Sequence, residues 1–144
     1  MNKPQYVYVT YIASTLQKVW EALLQPEVTR QYWLHENLSD WKPGSKWEHR
    51  DTDAARTLLI TGTVLECEAP RHLLFSWSAP ADAEQHSRVS FDLELVQGSV
   101  RLTVTHTELQ PGELEQIGVG WPMVLCSLKT LLETGRPLPK LWSH

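Results

Sequence analysis

The feature that most constrains the fold is an amphipathic helix near the end of the chain, from Trp121 to Gly135. Gly135 can adopt the left-handed conformation that ends a helix, and Pro137 prevents continuation. Segments that resemble strands precede this helix, so its apolar face must pack on the sheet that they form. Such packing can enclose a cavity. The apolar residues recur at the three- and four-residue spacing of one helix face: Trp121, Val124, Leu125, Leu128, Leu131 and Leu132.

The sequence allows two starts for this helix. Pro122 suits a first helical turn, so the helix can begin there. Alternatively, Ile117 lies four residues before Trp121 and extends the apolar stripe, which predicts a longer helix kinked at Pro122. Two glycines before Trp121 weaken the longer version. In the kinked alternative, residues 114–120 are a candidate lid over the cavity.

The chain opens with a predicted strand and two short helices. Residues 6–12 are rich in aromatic and β-branched side chains, which is typical of a strand. Ser14, with Gln17 three residues later, predicts a capping box at the start of the first helix. Pro26 ends that helix and can occupy the first turn of the second. The first helix has one apolar stripe, formed by Leu16, Val19, Trp20, Leu23 and Leu24.

Between the short helices and the last helix, alternating side chains predict a series of strands joined by short turns, and therefore mainly antiparallel pairing. One long strand spans residues 57–67 and can bend at Gly62. The pair Gln97-Gly98 is a hairpin turn between two clearly alternating strands. One face of these strands is charged or hydroxylated and meets water, so the last helix must cover the other.

Composition and charge exclude several classes of protein. With a net charge of -4, the chain lacks the clustered Lys and Arg that nucleic acids and anionic membranes require. No apolar run is long enough to span a membrane, and residues 1–5 lead into a strand rather than a signal peptide. The sequence therefore predicts one cytoplasmic domain over residues 1–144. Cys67 and Cys126 lie outside any metal or redox spacing and are predicted to be reduced, buried thiols.

Three segments together resemble the START-like helix-grip (SRPBCC) superfamily. The first is the helix at Val19–Leu23 followed by Pro26 and Trp33; the second is the strand pair from Gly62 to Trp77; the third is the closing helix. The most similar branch is the one named for the activator of the heat shock protein 90 ATPase, within the polyketide cyclase and dehydrase-like group. The resemblance covers nearly the whole chain. It implies an α+β fold in which a curved antiparallel sheet of six to seven strands wraps around a long carboxy-terminal helix, with a cavity between them.

The candidate ligand contacts are aromatic, histidine and aliphatic residues that such a fold turns inward. The tryptophans among them either line the cavity or simply fill the interior. His106 follows three apolar residues on its strand face, so it points inward and is either tied to backbone or water or orients a ligand. The full candidate set is Tyr32, Trp33, Trp47, His49, Phe75, Trp77, Phe91, His106, Trp121 and Leu125.

These observations favour a protein that binds a small hydrophobic or aromatic molecule, such as a lipid, a flavonoid or a polyketide-like compound. One alternative is a module that contacts a chaperone, although no exposed apolar stripe is evident in the sequence. The other is a polyketide cyclase-like enzyme with His106 as general acid or base. No nucleophile elbow, phosphate loop or metal-ligand spacing occurs, so neither catalytic residues, metal nor cofactor is predicted.

Overall fold

A seven-stranded antiparallel sheet and three helices make up the fold in the computed structural model, which describes residues 4–82 and 86–139. The strands are β1 (Tyr6–Ile12), β2 (His35–Leu38), β3 (Lys46–Asp51), β4 (Leu58–Glu68), β5 (His72–Trp77), β6 (Ser87–Val96) and β7 (Ser99–Thr107). The helices are α1 (Leu16–Leu24), α2 (Pro26–Tyr32) and α3 (Glu113–Thr134), and a 3-10 turn lies at Pro80–Asp82. The sheet order is β1-β7-β6-β5-β4-β3-β2, which confirms the predicted α+β helix-grip fold.

Helix α3 resolves the question of where the last helix begins. It runs without interruption from Glu113 to Thr134 and contains Pro122 in its interior. Gly135 ends it in the left-handed conformation, with φ at 89° and its N–H donating to Leu131 O at 2.8 Å. The start at Pro122 is therefore wrong, and residues 114–120 belong to the first turns of this helix.

Two local predictions are wrong: the residue that caps α1, and the burial of the two cysteines. Thr15, not Ser14, caps α1: its Oγ1 accepts from the Lys18 N–H at 3.1 Å, while the Ser14 N–H is already bonded to Ile12 O. The two thiols are free, but Cys67 is partly exposed and Cys126 is exposed. Cys126 lies on the flank of α3, beside the apolar stripe rather than within it.

Strand β2 is an element that the sequence did not predict. It pairs with β3 in the register His35↔Asp51 to Leu38↔Glu48. Its sequence is polar and does not alternate, yet Glu36 and Asn37 are buried. Hydrogen bonds to distant residues, rather than an apolar face, hold this strand in place.

The core lies between the inner face of the sheet and the helices. The β6 and β7 strands form the predicted hairpin around Gln97-Gly98, with a register from Arg88↔Thr107 to Val96↔Ser99. No helix among the described residues has the length and apolarity needed to cross a membrane. The core residues on the late strands and α3 are Leu73, Phe75, Val89, Phe91, Leu93, Val100, Leu102, Val104, Trp121, Val124, Leu125 and Leu128.

Candidate functional site

A cavity of about 200 Å³ lies where α3 crosses the inner face of the sheet near β3, β4 and β5. Its wall is mainly aromatic and aliphatic, and two histidines supply its ionisable groups among the described residues. Six of the ten lining residues are partly exposed, so the cavity reaches the protein surface. The lining residues are Trp33, His35, His49, Leu59, Ile60, Trp77, Ile117, Gly120, Trp121 and Val124.

Of the ten candidate residues from the sequence, four lie on this wall: Trp33, His49, Trp77 and Trp121. The other six are buried in the surrounding core: Tyr32, Trp47, Phe75, Phe91, His106 and Leu125. Tyr32, for example, turns its hydroxyl away and donates it to Ala22 O at 2.8 Å.

The other six wall residues were not among the candidates, although the sequence contains the apolar spacing that places some of them on one face of α3. Ile117, Trp121 and Val124 have the spacing of one face of α3, and that stripe was recognised without being assigned to the cavity. Gly120 lies between them, and an added Cβ there would meet nothing within 4 Å. His35 had no signal, because its strand is polar and irregular in pattern.

Trp121 is the centre of an aromatic cluster that includes part of the cavity wall. Its ring centroid lies 5.6 Å from that of Trp33, 5.5 Å from Trp77 and 5.9 Å from Phe91. Contacts with Phe91 and Trp33 are edge-to-face, the arrangement that aromatic quadrupoles favour. The cluster gives the cavity a rigid wall, because each indole is held on several sides.

One hydrogen-bond chain fixes the state of His106. The indole N–H of Trp121 can only donate, and it donates to His106 Nδ1 at 3.1 Å. The ring must therefore carry its proton on Nε2, which donates to Ser87 Oγ at 2.7 Å. The Ser87 hydroxyl donates in turn to Trp77 O at 3.2 Å. Both ring nitrogens are bonded within the core, which leaves His106 as a structural residue in this geometry.

A second chain reaches the cavity wall itself. Leu23 O can only accept, and it accepts from Asn37 Nδ2 at 3.1 Å. The Asn37 Oδ1 therefore faces His49 Nδ1 at 2.6 Å and accepts its proton. His49 Nε2 is then an acceptor, and His35 Nδ1 donates to it at 3.1 Å. One backbone carbonyl thus determines the tautomers of both wall histidines.

Burial keeps these three imidazoles uncharged at neutral pH. Burial, reinforced by the neighbouring His35, lowers the pKa of His49 to about 3. Burial lowers the pKa of His35, although the charge of Asp51 acts in the opposite direction. Burial also lowers the pKa of His106 to about 4. The cavity wall is therefore neutral and weakly polar.

The arrangement of ionisable side chains also bears on whether the described residues form a metal site. Among residues 4–82 and 86–139, no group of three or more His, Cys, Asp or Glu side chains could hold a metal ion. The cavity is suited to holding an apolar group against aromatic faces, with the imidazole pair beside it.

Comparison with known protein families identifies the family of this chain. The model of the family described as "Activator of Hsp90 ATPase homolog 1-like protein" matches residues 13–133. The chain belongs to this family. The matched segment of the activator of Hsp90 ATPase homolog 1-like family includes all ten wall residues, which lie between Trp33 and Val124. A comparison with curated proteins finds no match.

Solved structures share the fold of this family member. ChR145 from Cytophaga hutchinsonii is 26% identical with a TM-score of 0.76, over 94% of this chain and 97% of that one. CalU16 from Micromonospora echinospora is 23% identical with a TM-score of 0.73, over 91% and 77%. The Aha1 dimer from Colwellia psychrerythraea is 18% identical with a TM-score of 0.76, over 92% and 98%. At these identities, the CalU16 and Aha1 likenesses concern the fold alone.

Proposed function

We propose that this family member binds one small apolar or aromatic molecule in the cavity between α3 and the sheet. The observation that carries the proposal is the wall itself, which combines three tryptophans and four aliphatic side chains with a single pair of neutral histidines. Small-molecule sites have this composition: mostly hydrophobic and aromatic lining, with few polar groups that orient the ligand. The partial exposure of the wall supplies a route of entry.

The size of the cavity narrows the ligand class. Apolar cavities of roughly 150 Å³ hold benzene, whereas sites for drug-sized molecules are about 300–1,000 Å³. A cavity of about 200 Å³ therefore favours a ligand of one or two rings, or the terminal ring of a larger compound. A complete lipid, flavonoid or polyketide would need the cavity to widen.

A blocking variant tests the proposal. Gly120→Leu places a side chain in open space beside the cavity, where an added Cβ has no neighbour within 4 Å. In wild type we expect at least one compound from a panel of one- and two-ring aromatics to bind saturably. Saturation should raise the melting temperature by roughly 9 °C, because a ligand at 100 times its Kd stabilises by about 2.7 kcal/mol and the unfolding entropy is about 2.1 cal/mol/K per residue. Titration by tryptophan fluorescence should show binding at least about tenfold weaker in Gly120→Leu.

Val119→Leu is the matched control, because Val119 lies next to Gly120 on α3 but is 62% exposed. It enlarges an apolar side chain outside the cavity and should leave the affinity unchanged. A panel without any saturable ligand, or equal affinity in wild type and Gly120→Leu, would contradict the proposal.

The cyclase-like alternative has less support than ligand binding. His106, its expected general acid or base, does not line the cavity, and Trp121 and Ser87 occupy both of its ring nitrogens. A cytoplasmic location remains a prediction.

A second candidate function, contact with a chaperone, is favoured by one surface. Contrary to the sequence analysis, an apolar strip is exposed on the outer face of edge strand β1: Val7, Val9 and Tyr11 are 50%, 47% and 48% exposed. The inner face of this strand packs on α3 and the core. The outer face is therefore a second apolar face, which no described element covers. Exposed apolar patches mark contact surfaces.

A pull-down with purified Hsp90 tests this second function. Wild type should be retained, and Val9→Lys should lose at least about tenfold in affinity because a charge would be buried at the contact. Val119→Lys, on a different surface, is the control and should bind as wild type does. Failure of wild type to bind Hsp90 would rule out this candidate.

A further inference from the structure

We infer that the cavity admits uncharged ligands and rejects carboxylates, because the imidazole pair on its wall is locked neutral with both N–H groups turned into the protein. This inference rests on the proposed function and names the charge class of its ligand. Its basis is the orientation of four side-chain nitrogens, which one backbone carbonyl determines.

The hydrogen-bond chain that runs through Leu23, Asn37, His49 and His35 begins at Leu23 O, which can only accept. Because it accepts from Asn37 Nδ2, the amide of Asn37 cannot be turned around without placing two oxygens together. Asn37 is only 3% exposed and His49 is equally buried, so water cannot substitute for either partner. The proton of His49 Nδ1 is therefore committed to Asn37, at 2.6 Å.

The hydrogen-bond chain continues to His35, the more exposed ring of the pair. The lone pair of His49 Nε2 faces His35 Nδ1 at 3.1 Å, so His35 must carry its proton on that nitrogen. The N–H groups of both neutral rings are thereby used within the chain of hydrogen bonds. Neither imidazole has an N–H with which to bind an anion in the cavity.

No described wall residue offers a compensating charge. Besides the two histidines, the wall consists of Trp, Leu, Ile, Val and Gly residues. The described acidic group nearest in register is Asp51, which pairs with His35 across β2 and β3 and adds negative charge. A carboxylate that enters the cavity would lose its water without gaining a cation, which is costly.

Nitrobenzene and benzoate test this selectivity, since they share shape and differ in charge. At pH 7.5 we expect nitrobenzene to quench tryptophan fluorescence saturably and benzoate to bind about 100-fold more weakly or less. Similar affinities would overturn the inference and leave the proposed function standing. Binding of neither compound would overturn both the proposed function, for ring-sized ligands, and the selectivity that rests on it.

Asn37→Asp tests directly whether this hydrogen-bond chain keeps the two histidines neutral. The new carboxylate loses the bond to Leu23 O, since both oxygens only accept, and its remaining buried partner is His49 Nδ1. It should therefore hold His49 as an imidazolium, whose second N–H reverses the donor in the His49–His35 contact. We expect the preference for nitrobenzene over benzoate to fall at least about tenfold. Asp51→Asn is the control, because it removes a negative charge near His35 without touching the chain of hydrogen bonds. Its preference should change by less than about threefold, since Asp51 is partly exposed.

The ring nitrogens of wild type supply a readout that needs neither ligand nor variant. At pH 7.5, nitrogen-15 chemical shifts should show protonated Nδ1 and unprotonated Nε2 in both His49 and His35. An imidazolium, or the opposite tautomer of His49, would overturn the inference even if Asn37→Asp failed to fold.

Discussion

Gly62→Ala should destabilise this protein by about 3 kcal/mol or more, although it adds a single methyl group. A Cβ at Gly62 would lie 2.0 Å from Ser76 O and 2.5 Å from Trp47 Nε1. Neither neighbour can yield easily, since one is backbone and the other is an indole that is 1% exposed. Urea denaturation of the two proteins measures the difference in free energy of unfolding.

The reason for this sensitivity is a gap in the ladder between β4 and β5. The register shifts between Val64 and Glu66, and near Gly62 the indole N–H of Trp47 donates to Ser76 O at 2.7 Å. A methyl group at position 62 would therefore both clash and break a partly buried hydrogen bond. In a Trp47→Phe background the same substitution should cost less, because the indole no longer crosses the glycine.

Gly120→Ala is the control for Gly62→Ala. It too replaces a glycine, but its Cβ meets nothing within 4 Å and the residue lies inside α3. There, alanine should stabilise the protein by about 0.5–1 kcal/mol. A cost below about 1 kcal/mol for Gly62→Ala would show that the sheet adjusts, contrary to this account.

The second large effect is loss of stability in acid, to which His106 should contribute about 3 kcal/mol. Burial lowers the pKa of His106 from 6.5 to about 4, so the unfolded chain binds a proton before the folded one. The contribution is complete above pH 6.5 and is lost as the pH falls from there through about 4. Denaturation between pH 8 and pH 4 measures this slope.

His106→Gln separates titration from packing. A glutamine can accept from Trp121 and donate to Ser87, but it has no proton to gain in this range. We expect a modest cost at pH 8 and a flatter decline toward pH 4 than in wild type. His106→Ala, in contrast, should cost about 3 kcal/mol at pH 8, because it leaves the indole N–H and the Ser87 hydroxyl without their partner.

Other histidines must be included in interpreting the profile. His49 and His35 also have lowered pKa values and contribute to the loss in acid. For His72, burial acts against protonation, but the hydrogen bonds that its ring N–H groups donate to Asp92 and Glu66 outweigh burial and raise the pKa. The contribution of His72 is present below pH 6.5 and lost at higher pH, outside the acid window. Equal slopes for wild type and His106→Gln would contradict a buried neutral His106.

Much of the fold was predictable because its signals are local. The hairpin of β6 and β7 follows from strict alternation around Gln97-Gly98, and the structure pairs the two strands on either side of that turn, from Val96↔Ser99 outward. The length of α3 was left open, because Pro122 is compatible with either a helix start or an interruption. Strand β2 was missed, since its position depends on bonds such as that from Asn37 to Leu23, 14 residues away.

The sequence by itself determined which side of each strand and helix is apolar, because that property depends on the period of the pattern alone. Only the tertiary structure decided which inward residues face a cavity and which fill the core. Trp47 and Trp77 have the same alternation, yet only Trp77 lies on the wall. The closing helix therefore has two roles: Leu125 and Leu128 complete the core, while Ile117, Trp121 and Val124 bound the cavity. A cavity is the space that remains when several curved elements meet, and its position depends on their joint volumes rather than on any one segment.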